Sequence, residues 1–362
     1  MRAAERSAVV TGIGMVTPLG ADLDTTRRSL AAGGRADRVP AFDPRPHLKQ
    51  PKALKLMDRR TRMAVAAASM AIDDASLPPG SFDADRLGVL IGSSGSDLQA
   101  EDLSRAVADP EHRAAEDIAY FSERILSGLN PLWLLVNLPN MVSAHVAIQL
   151  EARGPNSTVM TDWIAGAQAI GEATEWIRAG EADAVLAGGA DVGVLPFVFA
   201  GYEQAGLFEQ GAFDLSEGAA VLLLEEAGRA AERGARVYGR VSSYSCASTP
   251  GGRDALIATM TSALEETRRA GLTVDTLCCA SVFEETLLRA EREAVEEVFG
   301  AAGIRLVEFR SALGHALSAA PAIDAALMLC ALRESAGTGA VLCNSLGFLG
   351  QSATLAFSRE AA

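Results

Sequence analysis

An α/β fold built from two similar halves is the architecture this 362-residue sequence predicts. Three observations predict it. Short apolar runs of strand length alternate with longer helical segments, the pattern of strands buried on both faces under helices. The strand and helix order of the first half recurs in the second. No long, polar or low-complexity linker divides the two, so packed β-α-β sets are expected, residues 1–235 and 236–362, and not beads on a string. Hydrophobic residues make up 49% of the chain, which suits a large close-packed core.

The elements follow in order. Residues 7–11 form a short apolar strand that runs into Gly12-Ile13-Gly14 and on to Gly20. This looks like a dinucleotide fingerprint only superficially: the third glycine falls at Thr17, and Pro18 breaks the helix start. Residues 33–55, rich in Pro, Arg and Lys, read as a surface loop. Met57-Asp58-Arg59-Arg60 opens an Ala-rich helix reaching residue 75. Residues 87–92 are a buried strand ending in a small-residue loop, and the charged stretch 97–127 reads as helix over the core. Residues 132–150 are apolar yet contain Asn137, Asn140 and His145, polar groups that must find partners.

The chain is organised around residues 154–166, GPNSTVMTDWIAG. A strand at 157–161 breaks into a helix running to about residue 179. A sharp strand-to-helix turn is where an exposed nucleophile is mounted, because the helix start supplies N–H groups and positive dipole to a developing anion. The turn here carries Asp162-Trp163-Ile164, none of them a competent acyl nucleophile. Strands at 183–190 and 218–225 and a helix at 227–234 complete the first half. The second half has strands at 237–245, 277–281 and 307–310, helices at 253–270, 288–299 and 320–333, and closing strands at 339–344 and 352–357.

Bulk properties exclude several classes. A formal charge of −14 argues against nucleic acid or an anionic membrane as partner. Residues 1–6 are polar and unlike a cleavable leader, and no apolar run reaches membrane-span length. The five cysteines, Cys246, Cys278, Cys279, Cys330 and Cys343, sit in apolar runs as reduced core thiols of a cytoplasmic protein would. Four histidines give no multi-histidine metal site.

Ordered motifs then resemble one family end to end. VVTGIGMVTPLG, MDRRTRMAVAAASMAIDDA, GPNSTVMTDWIAGAQAIGEA, DAVLAGGAD, EGAAVLLLEE and NSLGFLGQSATLAF resemble the β-ketoacyl-[acyl carrier protein] synthases. The resemblance implies the thiolase-like fold, with duplicated α-β-α-β-α layered halves, two central mixed sheets and dimerisation. It implies no cofactor. The family's nucleophilic Cys aligns with Trp163, its first His with Ala280, and its second His with His315 in RSALGH, where Arg310 replaces the family's Lys. Decarboxylative condensation needs a thiolate to hold the acyl chain and imidazole donors to stabilise the enolate. Trp163 forms no thioester and Ala280 donates nothing from its side chain. His315 reads most simply as a satisfied buried histidine, and Trp163 as filling a disused pocket.

One branch of the family carries such a site: the chain-length factor, or ketosynthase β subunit, of type II polyketide synthases. The run RSALGHALSAAPAIDAALMLCALRE looks closest to it. The chain departs from the commonest factors, which carry Gln where Trp163 stands, and this suggests an outlying, polyene-forming subgroup. The resemblance implies a heterodimer with an active ketosynthase α subunit. The growing polyketide chain enters a tunnel across the interface, and side chains of the factor close its end. Gating positions fall at Ser96, Gln99 and Leu103, spaced along one helical face. Trp133 and Phe348 are further tunnel candidates, and Leu132, Trp133, Asn137, Asn140 and Met141 are interface candidates. Acyl carrier protein is expected to dock mainly on the partner, with Arg59, Arg60 and Arg62 a secondary basic patch. Two other readings stay open: an acyl transferase using Cys278, Cys279 or Asp162, and a catalytically dead acyl-binding homodimer. For Asp162 a helix-cap role is the simpler expectation.

Overall fold

The computed structural model describes residues 6–77, 80–95, 117–128, 131–207, 215–280, 285–300, 303–335 and 339–360. The gating positions Ser96, Gln99 and Leu103 lie outside these residues. The first half contributes β1 (Ala8–Val16), β2 (Leu87–Gly92), β3 (Asn156–Val159), β4 (Ala184–Val192) and β5 (Glu217–Glu226). The second contributes β6 (Gly239–Ser248), β7 (Val274–Cys278), β8 (Arg305–Val307), β9 (Ala340–Leu346) and β10 (Gln351–Ser358). The helices are α1 (Leu23–Ala31), α2 (Arg59–Asp74), α3 (Ile118–Gly128), α4 (Trp133–Asn137), α5 (Met141–Leu150), α6 (Ala165–Arg178), α7 (Pro196–Gln204), α8 (Ala227–Glu232), α9 (Arg253–Arg269), α10 (Glu285–Phe299), α11 (Arg310–Leu313) and α12 (Ala320–Glu334).

The duplication is explicit in the strand order. The sheet runs β3-β2-β4-β5-β1-β6-β10-β9-β7-β8. Read inward from either edge, each half repeats one sequence of parallel and antiparallel pairings: β2 lies parallel to β3 and β4, as β7 does to β8 and β9. β5 lies antiparallel to β4 and β1, as β10 does to β9 and β6. The sequence predicts two central sheets. The structure has those two five-stranded sets, joined because the inner strands β1 and β6 pair at Val9 with Arg240 and Val10 with Gly239.

Packing explains why the strands are apolar on both faces. Helices α6 and α12 lie between the two strand sets, touching β4 and β10 alike, and bury their small residues there. The outer face of the first set is covered by α2 and α5, that of the second by α9 and α10. β1 is longer than the sequence reading allowed, because Gly12 and Gly14 lie within it. A Cβ on either glycine would collide with the carbonyl oxygen of Ala71 or Ala67 in α2. These glycines serve a close helix-to-strand approach, not a phosphate. No described helix is long and apolar enough to cross a membrane.

Candidate functional site

After β3 the chain passes through Thr161 into a single 3₁₀ turn, Asp162–Ile164, and then into α6. Asp162 has a left-handed backbone, φ +58. The start of α6 has no side-chain cap. The Asp162 carboxylate instead accepts the backbone N–H of Phe348 at 3.3 Å, in the turn between β9 and β10. The cap expected from sequence is therefore corrected: the group serves a neighbouring loop.

Trp163, which the resemblance aligns with the family's nucleophile, is 1% exposed. Its ring meets His315 edge-on at 4.8 Å between centroids and Phe348 at 5.4 Å. Its indole N–H donates to the Tyr202 hydroxyl at 3.0 Å. Tyr202, on α7, also packs edge-on against Phe348. Four rings thus close around one point, offset and tilted as aromatic quadrupoles prefer. His315 is buried, and its Nδ1 accepts the Leu317 N–H at 3.2 Å. Burial, reinforced by the Arg310 charge, holds its imidazole well below the usual range, so it is neutral.

Ala280 is buried in the same apolar cluster as Trp163, and its N–H donates to Glu291 at 2.7 Å. Arg310 is paired with Asp324 of α12, both buried. Burial pushes the Asp324 carboxyl upward even so. The cysteine alternatives lose ground physically. A hydrogen bond to Cys343, and then burial, push the Cys278 thiol well up, while burial raises Cys279. A raised thiol is a poor nucleophile.

A cavity of about 600 Å³ opens beside this ring cluster. Its apolar wall comes from Phe197, Val198 and Tyr202 of α7, with Leu317, Phe348 and Leu349. Arg60, Asp162 and Asp191 line its polar end. Of the two further tunnel candidates, Phe348 lines this cavity and Trp133 does not. Asp191 is anchored by Ser318, whose hydroxyl donates to it at 2.6 Å, and by the Ser94 N–H. Burial pushes the Asp162 carboxyl up to about 7, against the pull of two backbone N–H groups.

Of the interface candidates, Leu132 is 47% exposed and Asn140 is exposed, while Asn137 is buried and donates to the Trp133 carbonyl. Met141 opens α5, which packs beside the edge strand β3. The basic patch is not free. Arg60 is buried against Asp58 and Ser93; Arg59 and Arg62 are exposed, but Arg59 binds Glu217 and Arg62 donates to the Leu54 carbonyl. Tyr202 and Asp191 were missed from sequence. The signal for Tyr202 was present: Pro196 opens a helix carrying Phe197, Phe199 and Tyr202.

Comparison with known proteins agrees with this fold. A family model described as the β-ketoacyl synthase N-terminal domain matches residues 31–230, and one for the C-terminal domain matches 240–339. A curated relative from Synechocystis sp., 3-oxoacyl-[acyl-carrier-protein] synthase 2, is 27% identical over 98% of each chain. Among solved structures, the ishigamide ketosynthase/chain length factor superposes with a TM-score of 0.82 at 24% identity, covering 99% of this chain and 100% of that one. A type II polyketide acyl-carrier protein complex with its ketosynthase, bound to a hexaketide, gives 0.80 at 22% identity, over 98% and 100%.

Proposed function

The chain belongs to the β-ketoacyl synthase family, and from that premise we propose that it is the non-condensing partner of an active ketosynthase, limiting the length of an acyl chain carried by that partner. One observation carries the reading: the point where the family needs a thiol is filled by the Trp163 indole, locked by Tyr202, His315 and Phe348. A thioester has neither a nucleophile nor room there. The neutral, buried His315 and the side chain of Ala280 offer no pair of donors to an enolate.

Pairing is supported by the surface around β3. Among the described residues this edge strand pairs with β2 alone, and Leu132, Leu135, Leu138, Ile148 and Met160 are exposed on the segments before and after it in the chain. Among the described residues, the buried Trp133 indole N–H and Asn137 Oδ1 meet no hydrogen-bond partner. Buried polar groups want partners, and a second subunit would supply them. Ser96, Gln99 and Leu103 remain the proposed gates of the tunnel, with Phe348 at its near side. The polyketide synthase neighbours favour this reading over a homodimer, and the carrier protein is assigned mainly to the partner's surface.

The test is product length from the reconstituted pair, read by mass spectrometry of carrier-bound acyl chains. Leu103→Ala should lengthen the products and Ser96→Phe shorten them. Unchanged lengths in an intact complex would defeat the ruler reading. Acylation or condensation by this chain alone would favour the curated relatives' synthase activity instead.

A further inference from the structure

We propose that the cavity between the ends of α6 and α9 binds a small phosphate ester, a doubly charged phosphoryl group on an apolar body. Trp163 precedes the start of α6 and this cavity lies at its other end, so the inference is independent of the pairing role.

The cavity, about 660 Å³, opens where the two halves of the chain meet. Arg6 and Arg178 reach it from the first half, Arg240 and Arg269 from the second. Beside them β1 and β6 are joined by only two residue pairs, Val9 with Arg240 and Val10 with Gly239. Four guanidiniums thus converge from four separate segments, in a chain whose net charge is −14. One acid, Glu266, stands with them in the lining.

Neutral acceptors hold three of the four in place. Arg6 Nε donates to the Ile177 carbonyl at 2.9 Å and its Nη2 to the Ala182 carbonyl at 3.1 Å. Arg178 Nη2 donates to the Ser242 carbonyl at 3.3 Å, and Arg240 Nη1 to the Ser7 hydroxyl at 2.7 Å. These bonds fix the guanidiniums without cancelling their charge, so a ligand has little ordering left to impose.

The neighbouring carboxylates leave donors open. Asp183 answers three cations at once, Arg6, Arg86 and Arg229. Arg178, Arg240 and Arg269 pair with Glu175, Glu360 and Glu265, all in contact with solvent. Pairs of that kind are worth little. A guanidinium has five N–H groups. Among the described residues Arg6 Nη1, Arg178 Nε and Arg269 Nε donate no hydrogen bond, so an anion can be taken without breaking any of these pairs.

The shape of the donor set favours phosphate. A tetrahedral dianion offers three oxygens and accepts from several arginines at once, where a planar carboxylate takes one fork. Ser358 and Ser242 add hydroxyls to the lining. Val241 and Leu272 give one wall an apolar side, which the organic group of an ester would cover. Bound there, the ligand bridges arginines of both halves across the short seam and stabilises the folded chain by mass action.

Calorimetric titration of the full chain with three probes tests this: phenyl phosphate, inorganic phosphate and phenylacetate. Phenyl phosphate should bind in the millimolar range or tighter and raise the melting temperature. Inorganic phosphate should bind more weakly, and phenylacetate should give no heat of binding. Arg269→Glu, an exposed change at a helix end, should weaken phenyl phosphate about tenfold or more. Arg289→Glu on α10 breaks the same kind of i,i+4 pair and alters the net charge equally, and should leave the affinity unchanged. No binding of phenyl phosphate, equal affinity for either other probe, or equal losses in the two variants would each overturn the proposal. The comparison of probes decides by itself if a variant fails to fold.

Discussion

At the scale of residues, the proposed function turns on packing at Trp163. Trp163 gives the centre of the molecule a large buried surface and one satisfied polar atom. Trp163→Ala should therefore cost about 3–5 kcal/mol of stability, read from chemical denaturation, because the rings around it cannot collapse into the space. Trp163→Cys should not give a condensing enzyme: carbon dioxide release from malonyl-carrier by the isolated chain should stay at background, since position 280 still lacks a donor. The buried Arg310–Asp324 pair poses a different test. Removing one partner should cost about 3–5 kcal/mol, whereas Arg310→Met with Asp324→Leu should cost far less, a contrast a double-mutant cycle measures. That Trp163 and His315 belong near one another was legible in the sequence because both lie in motifs of the resemblance, and their rings do meet. Asp162's grip on Phe348 was not, because it joins residues 186 apart and depends on how two turns face each other.

At the scale of elements, nearly every strand and helix was legible from apolar runs and their lengths, since strands buried on both faces have no polar face to blur them. What was not legible came from contacts between elements. The extension of β1 past residue 11 depends on α2 lying against it, and Gly12 and Gly14 show their meaning only once that helix is in place. Gly14→Val should force α2 off β1 and lower stability by about 1–3 kcal/mol or more, seen as an earlier denaturation midpoint. The seam between β1 and β6 was likewise unreadable: only two registered pairs make it, and neither strand's pattern announces which neighbour it takes. α7 went unread because its residues are amphipathic only toward a cavity, and a short helix with two exposed phenylalanines mimics a loop.

At the scale of the whole molecule, opposing titrations and an unfinished surface shape behaviour. His145 and His315 are held below the usual range, chiefly by burial, so their contribution is present above about pH 6.5 and is lost as pH falls below it. Asp162 is raised, so its contribution is full near pH 4 and is lost as pH rises to about 7. Denaturation at pH 5.5 and 8.5 should accordingly show Asp162→Asn gaining on the wild type at about pH 8.5. A net charge of −14 favours solubility, yet among the described residues β3 has one unpaired edge and the segments before and after it in the chain expose large apolar side chains. An unpaired edge is normally blunted by charge or proline. Here Met160, the residue after β3, is 52% exposed, and Leu135 of α4, which packs on α5, is 39% exposed. A partner that pairs β3 and covers these residues would remove both liabilities together. Leu135→Asp with Met160→Asp should abolish co-purification with the ketosynthase partner while the chain's own circular dichroism and melting stay near wild type, because neither side chain belongs to a core cluster. Retained co-purification would move the interface elsewhere on the molecule. Loss of the fold itself would mean that this edge stabilises the single chain and not the pair.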